Sequence, residues 1–269
     1  MAQPGRLLEK VAAFGKQVDF GKTAQDYGRY RAGYPDELYR RLEAFGVGLP
    51  GQQILDLGAG TGFLGRGFAR NGCHLIAADI SEQLMLEGRR LDAAAGVTMK
   101  YVRTRVETLP FRARSFDVIS AGQCWHWFKR DLAAAEADRV MRPHGRLVIA
   151  HFDWIPLPGN VVEATEDLII KHNPKWTLAG APGLYPPWLR DVAIAGFSEI
   201  ETFSFDVMAS YSHEAWRGRI RASAGVGGTL EPAQVEAFDR EMAAKLKERF
   251  AADPMRVHHR AFALVCRAG

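Results

Sequence analysis

Ile54-Leu55-Asp56-Leu57-Gly58-Ala59-Gly60-Thr61-Gly62 is a short apolar run that breaks into alternating glycines. The run reads as a buried strand, the glycines as a tight turn, and Phe63 to Ala69 as the helix that follows. Glycines let a backbone approach a ligand with no Cβ in the way. A strand–turn–helix unit offers that ligand a helix N-terminus at the carboxyl edge of a sheet. The spacing here is G-x-G-x-G, whereas a dinucleotide fingerprint is G-x-G-x-x-G, and Phe63 stands where its third glycine would fall. Asp56 lies inside the strand just before the turn, where an acid repels a pyrophosphate and suits a cationic amine. Both features disfavour a dehydrogenase.

Outward from this loop the rhythm repeats. His74 to Ala78 is a second apolar run, closed by Asp79, and Gln83 to Ala95 a second helix. Val97 to Val102 and Phe116 to Ser120 read as strands, Ala133 to Met141 as a helix, and Arg146 to Ala150 as a fifth strand. Such alternation predicts βαβ units, a parallel sheet and right-handed crossovers. After Ala150 the pattern changes to a proline-rich stretch carrying Trp154, Trp176 and Trp188. Ile200 to Val207 and Val257 to Cys266 read as two strands completing the sheet, with helices at Glu214 to Ala224 and Ala233 to Ala251. Upstream, Pro35 followed by Asp36 and Glu37 is a helix start. The predicted architecture is α/β: a doubly wound, Rossmann-like, seven-stranded, mostly parallel sheet. Residues 1–34 are expected to form a cover segment, and 35–269 the main domain with helical cover insertions at about 152–196 and 208–253.

The chain has 269 residues, 47% hydrophobic and 25% charged, which is ordinary globular composition. Its net charge is +4, but the basic residues are spread, and blocks such as Arg103 to Arg105 and Arg112 to Arg114 are interrupted. Solvated surface charge is the usual meaning of that pattern, so no nucleic-acid partner is expected. Cys73, Cys124 and Cys266 are not closely spaced and match no zinc pattern, which predicts a reducing compartment and no metal. Residues Met1 to Lys10 lack the apolar core of a signal peptide. No run reaches the about 20 apolar residues that cross a bilayer. The expectation is a cytoplasmic protein with no membrane partner.

Asp79 closes the second strand, a position from which a carboxylate accepts both hydroxyls of a ribose. By itself an acid at a strand end is more often solvated or caps a helix, as Ser81 also can. Together with the glycine loop the signal is specific. The ordered set Ile54 to Gly62, Ala78-Asp79-Ile80-Ser81, Val106 to Phe111, Ser115-Phe116-Asp117-Val118, Ala121 to Phe128 and Met141 to Leu147 resembles the class I S-adenosylmethionine (SAM)-dependent methyltransferase family. It is most similar to the small-molecule branch called type 11, which includes trans-aconitate methyltransferase-like enzymes. The resemblance covers roughly residues 20–155. It implies SAM as cofactor, with Gly58, Ala59 and Gly60 passing under its methionine portion and Asp56 toward its amine. It places Asp79 on the ribose, Ile80 and Glu107 near the adenine, and Gln123 near the sulfonium. The segment Tyr27 to Pro35 resembles the family's entry segment and makes Tyr27 and Arg31 candidate contacts to the SAM carboxylate, although Ala32 stands where the family usually has proline.

Methyl transfer from a sulfonium already has a good leaving group, so alignment and exclusion of water can supply most of the catalysis. A base helps where the acceptor must lose a proton. His126, just after the fourth strand, is the candidate base. The plainer reading makes Trp125, His126, Trp127 and Phe128 the wall of an acceptor pocket, with Trp125 and Trp127 touching substrate. In Glu214 to Ala224, residues Trp216, Arg219, Ile220 and Ser223 share one helical stripe and Arg217 and Arg221 another. The Trp–Ile stripe points inward and takes Arg219 with it. A buried arginine needs an anion, either on the acceptor or an acid of the protein such as Glu163 or Asp153. Tyr185-Pro186-Pro187-Trp188 resembles a DNA amino-methyltransferase motif but lies far from the fourth strand, and is read as an extended loop. The leading expectation is methylation of a small molecule, on oxygen, carbon or nitrogen, with a carboxylate or aromatic acceptor. The alternatives are a nucleic-acid methyltransferase, which would need an added binding module, and a non-catalytic SAM-binding protein.

Overall fold

Apolar segments with no helical periodicity build the central strands, and glycines close the first strand at Gly58 and the fourth at Gly122. The computed structural model describes residues 18–269. The part of the expected cover segment before residue 18 lies outside the described residues. The strands are β1 (Gln53–Leu57), β2 (His74–Asp79), β3 (Lys100–Arg103), β4 (Phe116–Gly122), β5 (Met141–Trp154), β6 (Ser198–Tyr211) and β7 (Met255–Arg267). They form one seven-stranded sheet in the order β3-β2-β1-β4-β5-β7-β6. β1 pairs in parallel with both β2 and β4, β2 with β3, and β4 with β5. The strand order therefore reverses between β1 and β4, the place in such sheets where ligands bind beyond the carboxyl ends.

The helices are α1 (Ala24–Tyr30), α2 (Asp36–Glu43), α3 (Phe63–Arg70), α4 (Glu82–Ala95), α5 (Arg130–Val140), α6 (Val161–His172), α7 (Pro186–Ile194), α8 (His213–Arg221) and α9 (Pro232–Arg249). Ser81 caps α4 by accepting the Leu84 amide, and Gly96 ends it in the left-handed conformation.

The chain divides into two compact units. The sheet unit takes Gly33–Phe152, Leu184–Phe205 and Ala261–Gly269. One of its cores gathers Leu38, Leu42, Ile54, Leu64, Phe68, Val118, Val148 and Val265. Among the described residues, the helical unit takes 18–32, Asp153–Gly183 and Asp206–Arg260. There α1 packs on α8, with the Tyr30 ring seated where a Cβ at Gly218 would stand. Arg217 and Arg221 of α8 both bind Asp239 of α9, and Arg221 also pairs with Asp26 at 2.9 Å.

Some local expectations change. Strand β5 begins at Met141, because Phe116 pairs with Met141 before a register shift that restores pairing at Val118–Arg146. The proline-rich stretch hides two helices, α6 and α7. Tyr185-Pro186-Pro187-Trp188 is a helix start rather than an extended loop, since Pro186 and Pro187 occupy first-turn positions that need no N–H donor. Among the described residues no helix is long and apolar enough to cross a membrane. The three cysteines are free and buried.

Candidate active site

At the carboxyl end of β1 the chain turns through Gly58, Gly60 and Gly62, all with positive φ of 55°, 56° and 79°. At Gly58 a Cβ would stand 2.9 Å from the Phe128 ring and 3.0 Å from Cys124, so glycine is required there on two counts. The Ala59 amide donates to Ala78 O at 3.1 Å, and the Gly62 amide closes the turn on Ala59 O at 2.8 Å.

Asp79 ties this loop to the end of β2. Its Oδ2 accepts the Gly60 amide and its Oδ1 the Ser81 amide, both at 2.8 Å. The residue is buried, and burial raises its pKa against those hydrogen bonds, the net shift being upward. The Ile80 amide also acts on this carboxylate, which with about four acceptor sites retains capacity for a hydroxyl donor. Ile80, the next residue, is 62% exposed, an apolar surface beside that carboxylate.

Asp56 lies deeper than its expected role requires. It is 1% exposed, with Oδ1 accepting the Ser120 hydroxyl at 2.7 Å and Oδ2 the Gly65 amide at 3.2 Å. The β1–β4 register sets Ser120 beside it. The carboxyl thus braces β1, β4 and α3 from behind the loop, and burial pushes its pKa up to about 7. Sequence reasoning also missed a second brace. Arg66 of α3 donates to Asp92 Oδ1 at 2.9 Å and to Thr61 O at 2.6 Å, and Tyr101 donates to Asp92 Oδ2 at 2.8 Å. The i, i+4 spacings of α3 and α4 predict faces, not which buried cation meets which anion.

Beyond β4, Gln123 adopts a left-handed φ of 54°, a conformation that costs a non-glycine residue about 1–2 kcal/mol. It is held there by its amide on Ala150 O and its Nε2 on Phe152 O, each at 2.8 Å. Glu107 accepts the Lys129 amide at 3.2 Å and lies 3.8 Å from Arg105. Trp125, expected on the acceptor wall, is instead fully buried. Its indole N–H donates to Asp191 Oδ2 at 3.2 Å, and Asp191 is paired with Arg130 at 2.8 Å, which leaves no face for a substrate. His126 and Trp127 are partly exposed, with ring centroids 4.2 Å apart.

A histidine that the sequence reading did not single out completes this edge. His151, 1% exposed near the end of β5, stacks on Tyr185 at 3.8 Å and lies 5.9 Å from His126. The Trp188 indole donates to its Nε2 at 3.2 Å. Since Trp can only donate, His151 carries its proton on Nδ1. Its place one residue beyond the fifth expected strand was the available signal. A hollow of about 560 Å³ lined by Tyr34, Tyr39, Arg40, Arg66 and Leu91 includes none of Gly58, Asp79, Gln123 or His126 and is separate from this edge.

In the helical unit, the expected inward stripe of α8 is buried: Trp216, Arg219, Ile220 and Ser223. Arg219 lies over the Trp154 ring at 4.7 Å, and Glu163 is engaged with the Gly159 amide at 2.7 Å instead. Tyr27 accepts a hydrogen bond from Arg31 at 2.5 Å. His258 pairs with Asp206 at 2.9 Å, while burial holds the His259 imidazole down at about 4.

Residues 55–149 match the family described as a methyltransferase domain. A demethylmenaquinone methyltransferase of Clavibacter sepedonicus is 34% identical over 171 residues, 63% of this chain and 66% of that protein. An uncharacterized methyltransferase of Mycobacterium bovis is 35% identical over 152 residues, 54% of this chain and 59% of that protein. The chain thus spans less than two thirds of these relatives' lengths. The crystal structure of the YcgJ protein of Bacillus subtilis has the same fold, with a TM-score of 0.56 at 17% identity, over 87% of this chain and 98% of that one.

Proposed function

We propose that the protein transfers the methyl group of SAM to a small-molecule acceptor, on the premise that residues 55–149 match the methyltransferase-domain family. The observation that carries the reading is the cradle at Gly58–Gly62 with Asp79 stapled to it. Its backbone is open where a Cβ would intrude, and its acid retains acceptor capacity for a vicinal diol. A pyrophosphate would need a glycine at position 63, where this chain has Phe63, and would meet Asp56 just before the turn.

Gly58, Ala59 and Gly60 would hold the methionine portion of SAM, Asp79 the ribose, Ile80 and Glu107 the adenine side. Gln123 would bound the sulfonium side, and Tyr27 and Arg31 are the proposed contacts to its carboxylate. Asp56 is assigned to bracing the loop. When bound, SAM supplies an electrophilic methyl whose transfer leaves a neutral thioether. The chain's own contribution is alignment and dryness, together with a proton acceptor where the acceptor atom is protonated. His126 is assigned that role, taking the proton as the bond to the methyl carbon forms, with Trp127 against its ring and His151 behind it. The Clavibacter relative's name, a demethylmenaquinone methyltransferase, favours a quinone-like acceptor.

Titration calorimetry with S-adenosylhomocysteine and with NAD tests the cofactor. The native chain is expected to bind the former, and Asp79→Ala to weaken that binding by about 1–3 kcal/mol, or roughly 5- to 150-fold, the range for losing charged hydrogen bonds. Binding of NAD alone would overturn the reading. Incubation with labelled SAM and a metabolite extract, followed by a mass search for gains of one methyl, then identifies the acceptor. With that acceptor, His126→Ala is expected to keep S-adenosylhomocysteine affinity and lower turnover by about 100-fold or more, in line with general-base catalysis. Equal turnover at every pH would leave His126 as pocket wall only.

A further inference from the structure

Arg66, the other arginine buried to a comparable degree among the described residues, has its anion. That anion is Asp92 at 2.9 Å, and on α8 itself Arg217 and Arg221 have Asp239. Arg219 is different. It is 7% exposed, lies over the Trp154 ring at 4.7 Å and forms no ion pair with a carboxylate among the described residues. Its electrostatic neighbours include a second guanidinium, Arg31, which opposes its charge, and Asp153, which supports it weakly; burial and Arg31 together pull its pKa down to about 10. Beside it the Tyr211 hydroxyl is buried with no acceptor for its O–H, the Ala32 amide and the Arg219 guanidinium being the polar groups that approach its oxygen. A buried donor left unmade costs about 1–3 kcal/mol, and an unpaired buried cation costs more.

The surroundings are rigid. Trp154 is pinned by its indole N–H on Glu166 at 2.9 Å, and Glu166 also accepts the Gly180 amide at 2.7 Å. Trp216 is pinned on the Thr165 hydroxyl at 3.0 Å and meets Trp154 and Tyr211 edge to face, at 5.6 and 5.2 Å. His259 stacks on Tyr211 at 5.7 Å. A guanidinium and a phenol donor held in an aromatic box lack only an acceptor that carries charge.

We propose that the helical unit contains a carboxylate-recognition site, in which Arg219 and the Tyr211 hydroxyl bind the anionic end of a small molecule whose apolar body lies against Trp154. The guanidinium offers two parallel donors to a carboxylate, and the phenol a third. The inference goes beyond the methyl-transfer reading, because the site stands in the helical unit by itself. Two molecules could supply the carboxylate, the cofactor or a separate ligand, and binding measurements separate them.

The test uses the full chain with benzoate and its neutral counterpart benzamide, followed by calorimetry and by tryptophan fluorescence, in which a Trp154→Phe variant isolates the contribution of Trp154. Benzoate is expected to bind at least about tenfold more tightly than benzamide, as a charge-assisted fork requires, and Arg219→Gln to abolish that preference. Tyr211→Phe removes only the hydroxyl, whose O–H has no acceptor. It is expected to leave the melting temperature unchanged or higher while weakening benzoate severalfold, which a purely structural role would not produce. Equal binding of benzoate and benzamide by the native chain, or full benzoate binding by both variants, overturns the proposal. If Arg219→Gln weakens S-adenosylhomocysteine but spares 5′-methylthioadenosine, the site serves the cofactor's carboxylate. If it spares both and loses benzoate, the site serves another ligand. A native chain that binds benzoate but no S-adenosylhomocysteine leaves this site standing and removes the methyl-transfer reading.

Discussion

The stability of Asp56→Asn relative to the native chain is expected to climb as the pH rises from 4 to 7 and to level off above it. Burial raises the folded-state pKa of Asp56 to about 7, well above its ordinary value of 3.8. Between those values the folded chain binds a proton that the unfolded chain has released, so native stability falls with rising pH across that window. The span corresponds to a loss on the order of 2–4 kcal/mol. Asparagine retains the geometry, with Oδ1 accepting the Gly65 amide and Nδ2 donating to Ser120, and does not ionise. The variant is compared with the native chain because His259 adds a slope of opposite sign. Burial lowers its pKa to about 4, so stability is lost as the pH falls below its ordinary 6.5. Urea unfolding of both proteins at four pH values measures the difference. A difference that stays flat would mean that Asp56 is ionised throughout, with its two donors outweighing its desolvation. The same variant also bears on ligand binding. Unchanged S-adenosylhomocysteine affinity fits the bracing role, and a large loss returns Asp56 to the amine.

Gly58→Ala is expected to cost about 2–4 kcal/mol of stability and to reduce S-adenosylhomocysteine affinity by more than tenfold. Alanine at a φ of 55° costs about 1–2 kcal/mol. The new methyl would also stand 2.9 Å from the Phe128 ring and 3.0 Å from the Cys124 sulfur, whose own position is tied to Leu57 O at 3.1 Å. Overpacking against anchored neighbours adds about 1–3 kcal/mol. Relief of the clash must move either the loop or the β4 end, and both belong to the proposed cofactor cradle. Gly46→Ala is the control, since its φ of 71° carries the same backbone cost with nothing within 4 Å of the new methyl. Equal melting temperatures for the two variants would show that the contacts at Gly58 yield.

Local pattern carried the sequence reading a long way. Apolar runs of strand length ended by Gly58 or Asp79, and helices opened by Ser81 or Pro35, are decided within a few residues of themselves. That is why the doubly wound sheet, the glycine turn and the staple acid at the end of β2 were legible. The strand ends were less so, because β5 is extended to Met141 by pairing with Phe116, a partner on another strand. Helix α6 was hidden because proline-rich flanks drew attention from the apolar face between them.

By itself, then, the sequence determined the sheet, the loop and the inward face of α8, each of which follows from periodicity and turn chemistry over neighbouring residues. Only the tertiary structure decided that Asp56 accepts from Ser120 and Gly65, that Trp125 is core through its bond to Asp191, and that His151 joins Tyr185 and Trp188 at the edge beside His126. It alone separated Arg66, which meets Asp92, from Arg219, which meets a tryptophan face. The physical reason is that the charge state and accessibility of a buried polar group depend on which distant residue the fold brings within about 3 Å of it, and no spacing along the chain encodes that partner.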